Sequence, residues 1–241
     1  VSKFSLLIGV PASTWSTIGV ANFRVPVVNN SVATGVTTIA SEGANTELVG
    51  TTMTAIANNQ FLVGTANIDT LNGSTFTGLT MTGNGSGDVF QIGAGGSATI
   101  TDLTTGDAFQ VAAGGTLTNA TSVAAFVADS NTTNAGAATI TSAVAGSTIN
   151  MAAAGGSTGY TLAGAAGVDN LTGSAFADAI TTNGGADVVS AGAGNDTITV
   201  TAAAAAYTLT GGTGADTFAI ANNAGMTATI TDLSTTDVVT V

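Results

Sequence analysis

The 241-residue chain contains no cysteine and no histidine. Without cysteine no disulfide holds the fold, even in an oxidising compartment. Without histidine there is no imidazole to ligate a metal or to act as a general base near neutral pH. Basic side chains are almost as scarce: Lys3 and Arg24 stand against 14 acidic residues, for a net charge of −12. Past Arg24 nothing complements a phosphate backbone or an anionic lipid surface, so nucleic acid is excluded as a partner. Trp15 is the single tryptophan, Tyr160 and Tyr207 the two tyrosines, Pro11 and Pro26 the two prolines. No apolar run approaches the roughly 18 residues that cross a bilayer as a helix, and membrane insertion is not expected.

What remains is a chain of small and β-branched residues, 44% hydrophobic but only 7% charged, with 33 glycines. Valine, isoleucine, leucine and phenylalanine recur throughout, which separates it from the hydrophobe-poor composition of disordered chains. Such a composition suits short strands joined by tight turns.

The most ordered stretch runs from Gly164 to Thr199. Asp169, Asp178, Asp187 and Asp196 fall nine residues apart, and Leu171, Ile180, Val189 and Ile198 each follow two positions later. A nine-residue period belongs neither to a helix nor to one strand; it is a repeat of turn plus short strand. Each repeat has one apolar residue that it cannot bury alone, so the repeats must stack. Stacking sets the turn carboxylates in rows roughly 5 Å apart. Rows of like charge that close favour an intervening hard cation bound through oxygen.

A duplication surrounds this ladder. GTANIDTLNGSTF (64–76) matches GAAGVDNLTGSAF (164–176) at an offset of 100. GDVFQIGAGGSATITDLTTGDAFQV (87–111) parallels ADTFAIANNAGMTATITDLSTTDVVTV (215–241). The chain therefore reads as an N-terminal cap or assembly segment (1–60), a first degenerate repeat unit (61–111), connecting solenoid coils (112–160) and a second repeat unit (161–241). In the first segment Phe4, Leu6, Ile8 and Val10 alternate like a strand, suited either to cap the solenoid or to add to a neighbouring subunit's sheet. The opening VSKFSLLIGVPAS has some features of a signal peptide but is short, and we read it as mature protein. The alanine run 202–206 is expected to be a tightly packed coil rather than a helix.

The turns also match a known pattern. GGTGADTFA (211–219) fits the G-G-x-G-x-D-hydrophobe calcium repeat, and AGAGNDTIT (191–199) lacks only its first glycine. The chain thus resembles RTX-type β-roll proteins, and its low charge and Thr/Ala/Gly richness are similar to RTX-type bacterial surface-layer proteins. The resemblance implies an all-β parallel β-solenoid or β-roll. It implies Ca²⁺ as cofactor, with Asp169, Asp178, Asp187, Asp196 and Asp216 as ligands; aspartates two turns apart would share an ion, Asp169 with Asp187 and Asp178 with Asp196. Residues 173–181 carry Phe176 in place of a turn glycine, and 182–190 begin Thr182–Asn183 instead of Gly–Gly. An ion between Asp69 and Asp88 is not expected, because the first unit is more degenerate. Asp102, Asp107, Asp232 and Asp237 are expected to close turns. Some ladder aspartates are equally readable as turn caps.

Enzymatic chemistry is not expected, since the carboxylates form a ladder and not a pocket. The function implied is a secreted, cell-surface structural subunit that assembles with itself into a bacterial surface layer or filament. The alternative is a calcium-folding carrier module of a larger secreted enzyme or adhesin. Threonine pairs at 80/82, 99/101, 139/141, 197/199, 208/210 and 227/229 raise ice binding, but their spacings of 19, 40, 58, 11 and 19 argue against a stacked face. Sequons at Asn29, Asn72, Asn84, Asn119, Asn131, Asn170 and Asn195 permit glycans without arguing for them.

Overall fold

A computed structural model describes residues 47–49, 52–85, 87–201 and 205–241. The expected strand at Phe4–Val10, both cations and Ala202–Ala204 lie outside the described residues. Among the described residues there is no helix, and every strand pairing is parallel. The chain winds into a solenoid, as its period implies.

Three sheets form its faces. The long sheet has eleven strands and runs the whole length, from Glu47–Val49 to Val238–Thr240. Two six-stranded sheets share the other side. An early sheet extends from Thr52–Thr54 to Gly155–Gly156, and a late sheet from Phe126–Val127 to Thr227–Ile230. At about 4.8 Å per strand, the long sheet spans roughly 48 Å.

Register follows from burial. In strand after strand one residue points inward between two that face outward, so one slip would expose the entire core. On the long sheet Leu162, Ile180, Ile198 and Phe218 stack in one column; on the late sheet Ile149, Leu171, Val189 and Leu209 stack in another. All eight are essentially sealed from solvent. The aliphatic residues that keep the nine-residue period therefore alternate between facing walls, filling one core.

Coil length is not constant. Leu162 pairs with Ile180 after 18 residues, whereas Phe126 pairs with Ile149 after 23. The longest coils lie between residues 116 and 156, where each turn visits all three sheets: Thr116–Ser122, Phe126–Val127, Thr133–Asn134, and then the long sheet again at Ala137–Ser142. A three-faced coil encloses more volume than a two-faced one, and the chain fills it with rings. Phe109 lies 6.0 Å from Phe126, stacked, and 6.0 Å from Tyr160, edge-on. These coils hand the second face from the early sheet to the late one.

The variable coil length also overturns one expectation. Individual threonines stack despite the irregular spacing, although Asn119, Ala163, Ala179 and Ala219 interrupt the columns. Thr80 pairs with Thr99, Thr121 with Thr141, Thr139 with Thr161, Thr181 with Thr199 and Thr197 with Thr217, all on the outward face of the long sheet. Thr208 pairs with Thr229 on the late sheet instead. A spacing that counts residues cannot show stacking when coils differ in length and neighbouring pairs sit on different faces.

Candidate metal centre

The aspartates occupy corners, where the chain leaves one face for the next and the backbone N–H has no strand partner. Each carboxylate supplies one to the coil before it. On the corner entering the long sheet, the N–H of Tyr160 donates to Asp178 Oδ1 (2.6 Å), Asp178 to Asp196 (2.8 Å), Asp196 to Asp216 (2.9 Å) and Asp216 to Asp237 (3.0 Å). On the corner entering the late sheet, Ser147 N–H donates to Asp169 Oδ1 (2.6 Å) and Asp169 N–H to Asp187 (2.8 Å). The pairs Asp169/Asp187 and Asp178/Asp196, which the RTX resemblance implied, thus stand together on two different corners. The early sheet has an equivalent corner, where Asp69 N–H donates to Asp88 Oδ1 (2.8 Å) and Asp88 N–H to Asp107 (3.0 Å).

The second oxygen separates these aspartates into two kinds. In Asp69, Asp169 and Asp178 it accepts the N–H of the residue four positions earlier: Thr65, Ala165 (2.7 Å) and Ser174. Asp107 and Asp237 accept from Thr104 (2.8 Å) and Ser234 (2.7 Å), three positions earlier. These turns are closed on themselves. In Asp88, Asp187, Asp196 and Asp216 the second oxygen is buried and has no hydrogen-bond partner. Those turns are open.

Number each six-residue turn so that its aspartate is sixth; the second residue then decides the outcome. Closed turns carry Thr65, Ala165 or Ser174 there. Open turns carry Asn84, Asn183, Gly192 or Gly212. Asn84, Gly192 and Gly212 adopt positive φ (67°, 109° and 100°), a region that glycine and asparagine tolerate and most residues avoid. That rotation aims the N–H away from the aspartate. Asn183 instead anchors its amide, donating from Nδ2 to the Gly164 carbonyl at 2.8 Å.

A bare carboxylate oxygen with almost no solvent exposure is costly unless something positive reaches it. Burial is the main cause that pushes Asp187 and Asp196 up to about 6, against the N–H bonds from Asp169 and Asp178 that lower them. Burial also raises Asp178 and Asp88; in Asp88 the neighbouring charges of Asp107 and Asp69 add to it. The Gly85 N–H stands near Asp88 and lowers it slightly, but without hydrogen-bond geometry. Among the described residues no three Asp, Glu, His or Cys side chains cluster at metal-binding distance. A cation at these turns must therefore take most of its ligands from backbone carbonyls. All-oxygen coordination of that kind suits calcium.

Residues 164–198 match the family model of the RTX calcium-binding nonapeptide repeat, in four copies. The ladder matches the RTX repeat. Comparison with curated proteins and with solved structures gave no significant match. The RTX stretch contains Asp169, Asp178, Asp187 and Asp196; Asp216 follows it on the same corner as Asp178 and Asp196. Within the matched RTX turns two aspartates are closed and two are open, a division that the consensus spacing does not reveal.

Two further aspartates act as lids. The Asp102 carboxylate accepts the N–H groups of Gly83 (2.9 Å) and Asn84 (2.7 Å), and Asp232 does the same for Gly211 (3.0 Å) and Gly212 (2.7 Å). With Asp107 and Asp237, they form a duplicated terminator after the last open turn of each unit. ITDL followed by S/T-T-x-D is the sequence signal for it, and the expectation that these four close turns agrees with the geometry.

Proposed function

We propose that the protein is a secreted structural subunit that assembles with copies of itself into a bacterial surface layer or extracellular filament, and that calcium stiffens its coils. Asp187, Asp196 and Asp216 hold the ions through their free oxygens, with Asp169 and Asp178 supplying the turns beneath. RTX repeats are typical of secreted proteins, which supports the extracellular placement. The carboxylates form ladders on solenoid corners and share no cavity, which supports a structural role over an enzymatic one.

The observation that carries assembly is the last coil. Its strand Val238–Thr240 pairs with Thr217–Ile220 on one side, and no other described strand pairs with its second edge. Val239 sits in the core column directly on Phe218 yet is 41% exposed, and Val238, Leu233 and Val241 are exposed beside it. An open strand edge backed by apolar residues is a template for another chain. The occupant is a second copy, docked head to tail, since such contacts propagate as filaments or sheets. Asp232 and Asp237 lie in that coil, and the two cations of the sequence, Lys3 and Arg24, lie outside the described residues. Electron microscopy and sedimentation of the purified protein, with calcium and with chelator, test this. Val239→Lys should abolish assembly without unfolding the coils. A monodisperse monomer at high concentration in calcium sinks the proposal, and native mass showing covalent attachment to a catalytic or adhesive part would favour the carrier reading.

The stacked threonines favour a second reading, ice binding. Parts of the outward face of the long sheet carry hydroxyls spaced roughly 4.8 Å between coils and roughly 6.7 Å along a strand, in columns broken by Asn119, Ala163, Ala179 and Ala219. Thermal hysteresis of the monomer decides it; none at millimolar protein removes the idea.

A further inference from the structure

We infer that the first unit holds a calcium ion of its own at Asp88, between turns 64–69 and 83–88, outside the residues that match the RTX model. The turn reads GNGSGD, with glycines at its first, third and fifth positions, so a consensus that wants them second and fourth passes over it. Its geometry nevertheless repeats that of Asp169/Asp187, which lies wholly within the matched stretch.

The two pairs share four features, although Asp88 N–H also donates to Asp107 and, among the described residues, nothing equivalent lies above Asp187. The lower aspartate is closed in both, by Thr65 N–H on Asp69 and by Ala165 N–H on Asp169. Its own N–H donates to Oδ1 of the upper aspartate at 2.8 Å in both. The second-position asparagine donates its side-chain amide to the carbonyl of the glycine that opens the turn below: Asn84 to Gly64 O at 3.0 Å, Asn183 to Gly164 O at 2.8 Å. Asp88 and Asp187 are both fully buried, and Oδ2 has no partner in either.

The first unit also offers the remaining ligands. A Cβ at Gly85 would meet the carbonyls of Ala66 and Asn67 at 3.2 Å, so the missing side chain leaves those oxygens facing open space beside the turn. Asp69 below and Asp107 above place two more negative charges on the same corner. Among the described residues nothing positive answers them, because the chain has no Lys or Arg after Arg24. A divalent ion bound by Asp88 Oδ2 and backbone carbonyls resolves both the bare oxygen and the charge.

This inference rests on calcium binding by the repeats at 164–198, and the test separates the two. Calcium bound per chain is counted by native mass spectrometry on the full-length protein, for the wild type, Asp88→Asn and Asp187→Asn. Asparagine keeps the acceptor for the Asp69 N–H and removes only the anionic oxygen. Each variant is expected to bind one ion fewer than the wild type. If Asp187→Asn loses an ion and Asp88→Asn loses none, the site at Asp88 is overturned and the repeat reading stands. If neither loses one, both fall. Hydrogen exchange on the wild type decides the matter if a variant does not fold: calcium should protect peptides covering 83–88 as well as 182–187, and protection of the second alone overturns the proposal.

Discussion

Calcium should reverse the sign of this protein's response to acid. Asp187 and Asp196 are buried carboxyls raised from 3.8 to about 6 when no ion is present. Between those values the folded chain holds protons that the unfolded chain has released, so metal-free stability falls as pH rises through that window. Conversely, acidification from pH 7 towards 4 relieves two buried charges. About two pH units at roughly 1.4 kcal/mol each gives about 3 kcal/mol per carboxyl as an upper bound, or about 6 for the pair. At roughly 2–4 °C per kcal/mol for a chain of this size, the melting temperature gains up to about 12–24 °C. In saturating calcium the ion stabilises the ionised form instead, and protons compete with it, so the same acidification lowers the melting temperature. Far-UV circular dichroism melts from pH 4 to 8, in chelator and in calcium, measure both slopes. The double variant Asp187→Asn/Asp196→Asn should flatten the metal-free slope and separate these two groups from the general self-repulsion of a −12 chain. A metal-free melting temperature that stays level or drops between pH 7 and 5 would refute the reasoning.

Two further perturbations probe the frame that carries the ladder. Phe109→Ala empties the aromatic packing between Phe126 and Tyr160 where the coils have three faces. It should cost about 3–5 kcal/mol in urea unfolding, and a loss below about 1 kcal/mol would mean that those coils collapse readily. Asp232→Ala strips the partners from the N–H groups of Gly211 and Gly212. It should cost about 1–3 kcal/mol and speed amide exchange at those two residues, while Asp232→Asn, which keeps one acceptor, costs less.

The nine-residue period made the solenoid legible, because a single repeat cannot bury its aliphatic residue and parallel stacking is the remaining solution. The two-turn pairing of Asp169 with Asp187 and of Asp178 with Asp196 was implied by the RTX resemblance, and the structure sets consecutive turns on different corners. The third face was not legible. Phe109, Phe126 and Tyr160 lie far apart in sequence, and only the closing of a 23-residue coil brings them together. The threonine columns were misread for a related reason, because coil length absorbs irregular spacing. Asp88 was discounted because the first unit is more degenerate, but what the open turns share is Asn or Gly at the second residue, with positive φ at Asn84 (67°), Gly192 and Gly212 and a side-chain amide bond at Asn183. Read with that requirement, Asn or Gly at the second position against Thr, Ala or Ser would have separated open from closed turns on sequence alone.

The distribution of the two kinds of turn along each corner explains why both exist. On the long-sheet corner the order is Tyr160, Asp178 closed, Asp196 and Asp216 open, Asp237 closed; on the early corner it is Asp69 closed, Asp88 open, Asp107 closed. The late corner runs from Ser147 through Asp169 closed and Asp187 open to Tyr207, which has no carboxylate to offer. On the long-sheet and early corners every open aspartate therefore has a turn stacked on each side and every carboxylate that ends the column is closed, whereas on the late corner the last carboxylate, Asp187, is open. An ion at a column end would find carbonyls from one turn only and keep much of its water. Closing the terminal carboxylate with its own turn's N–H removes the need for that ion. On those two corners the metal-free ladder thus keeps satisfied ends around unsatisfied middles, and the open carboxylates limit the calcium the chain recruits, at most about one ion each, to Asp88, Asp187, Asp196 and Asp216 among the described residues.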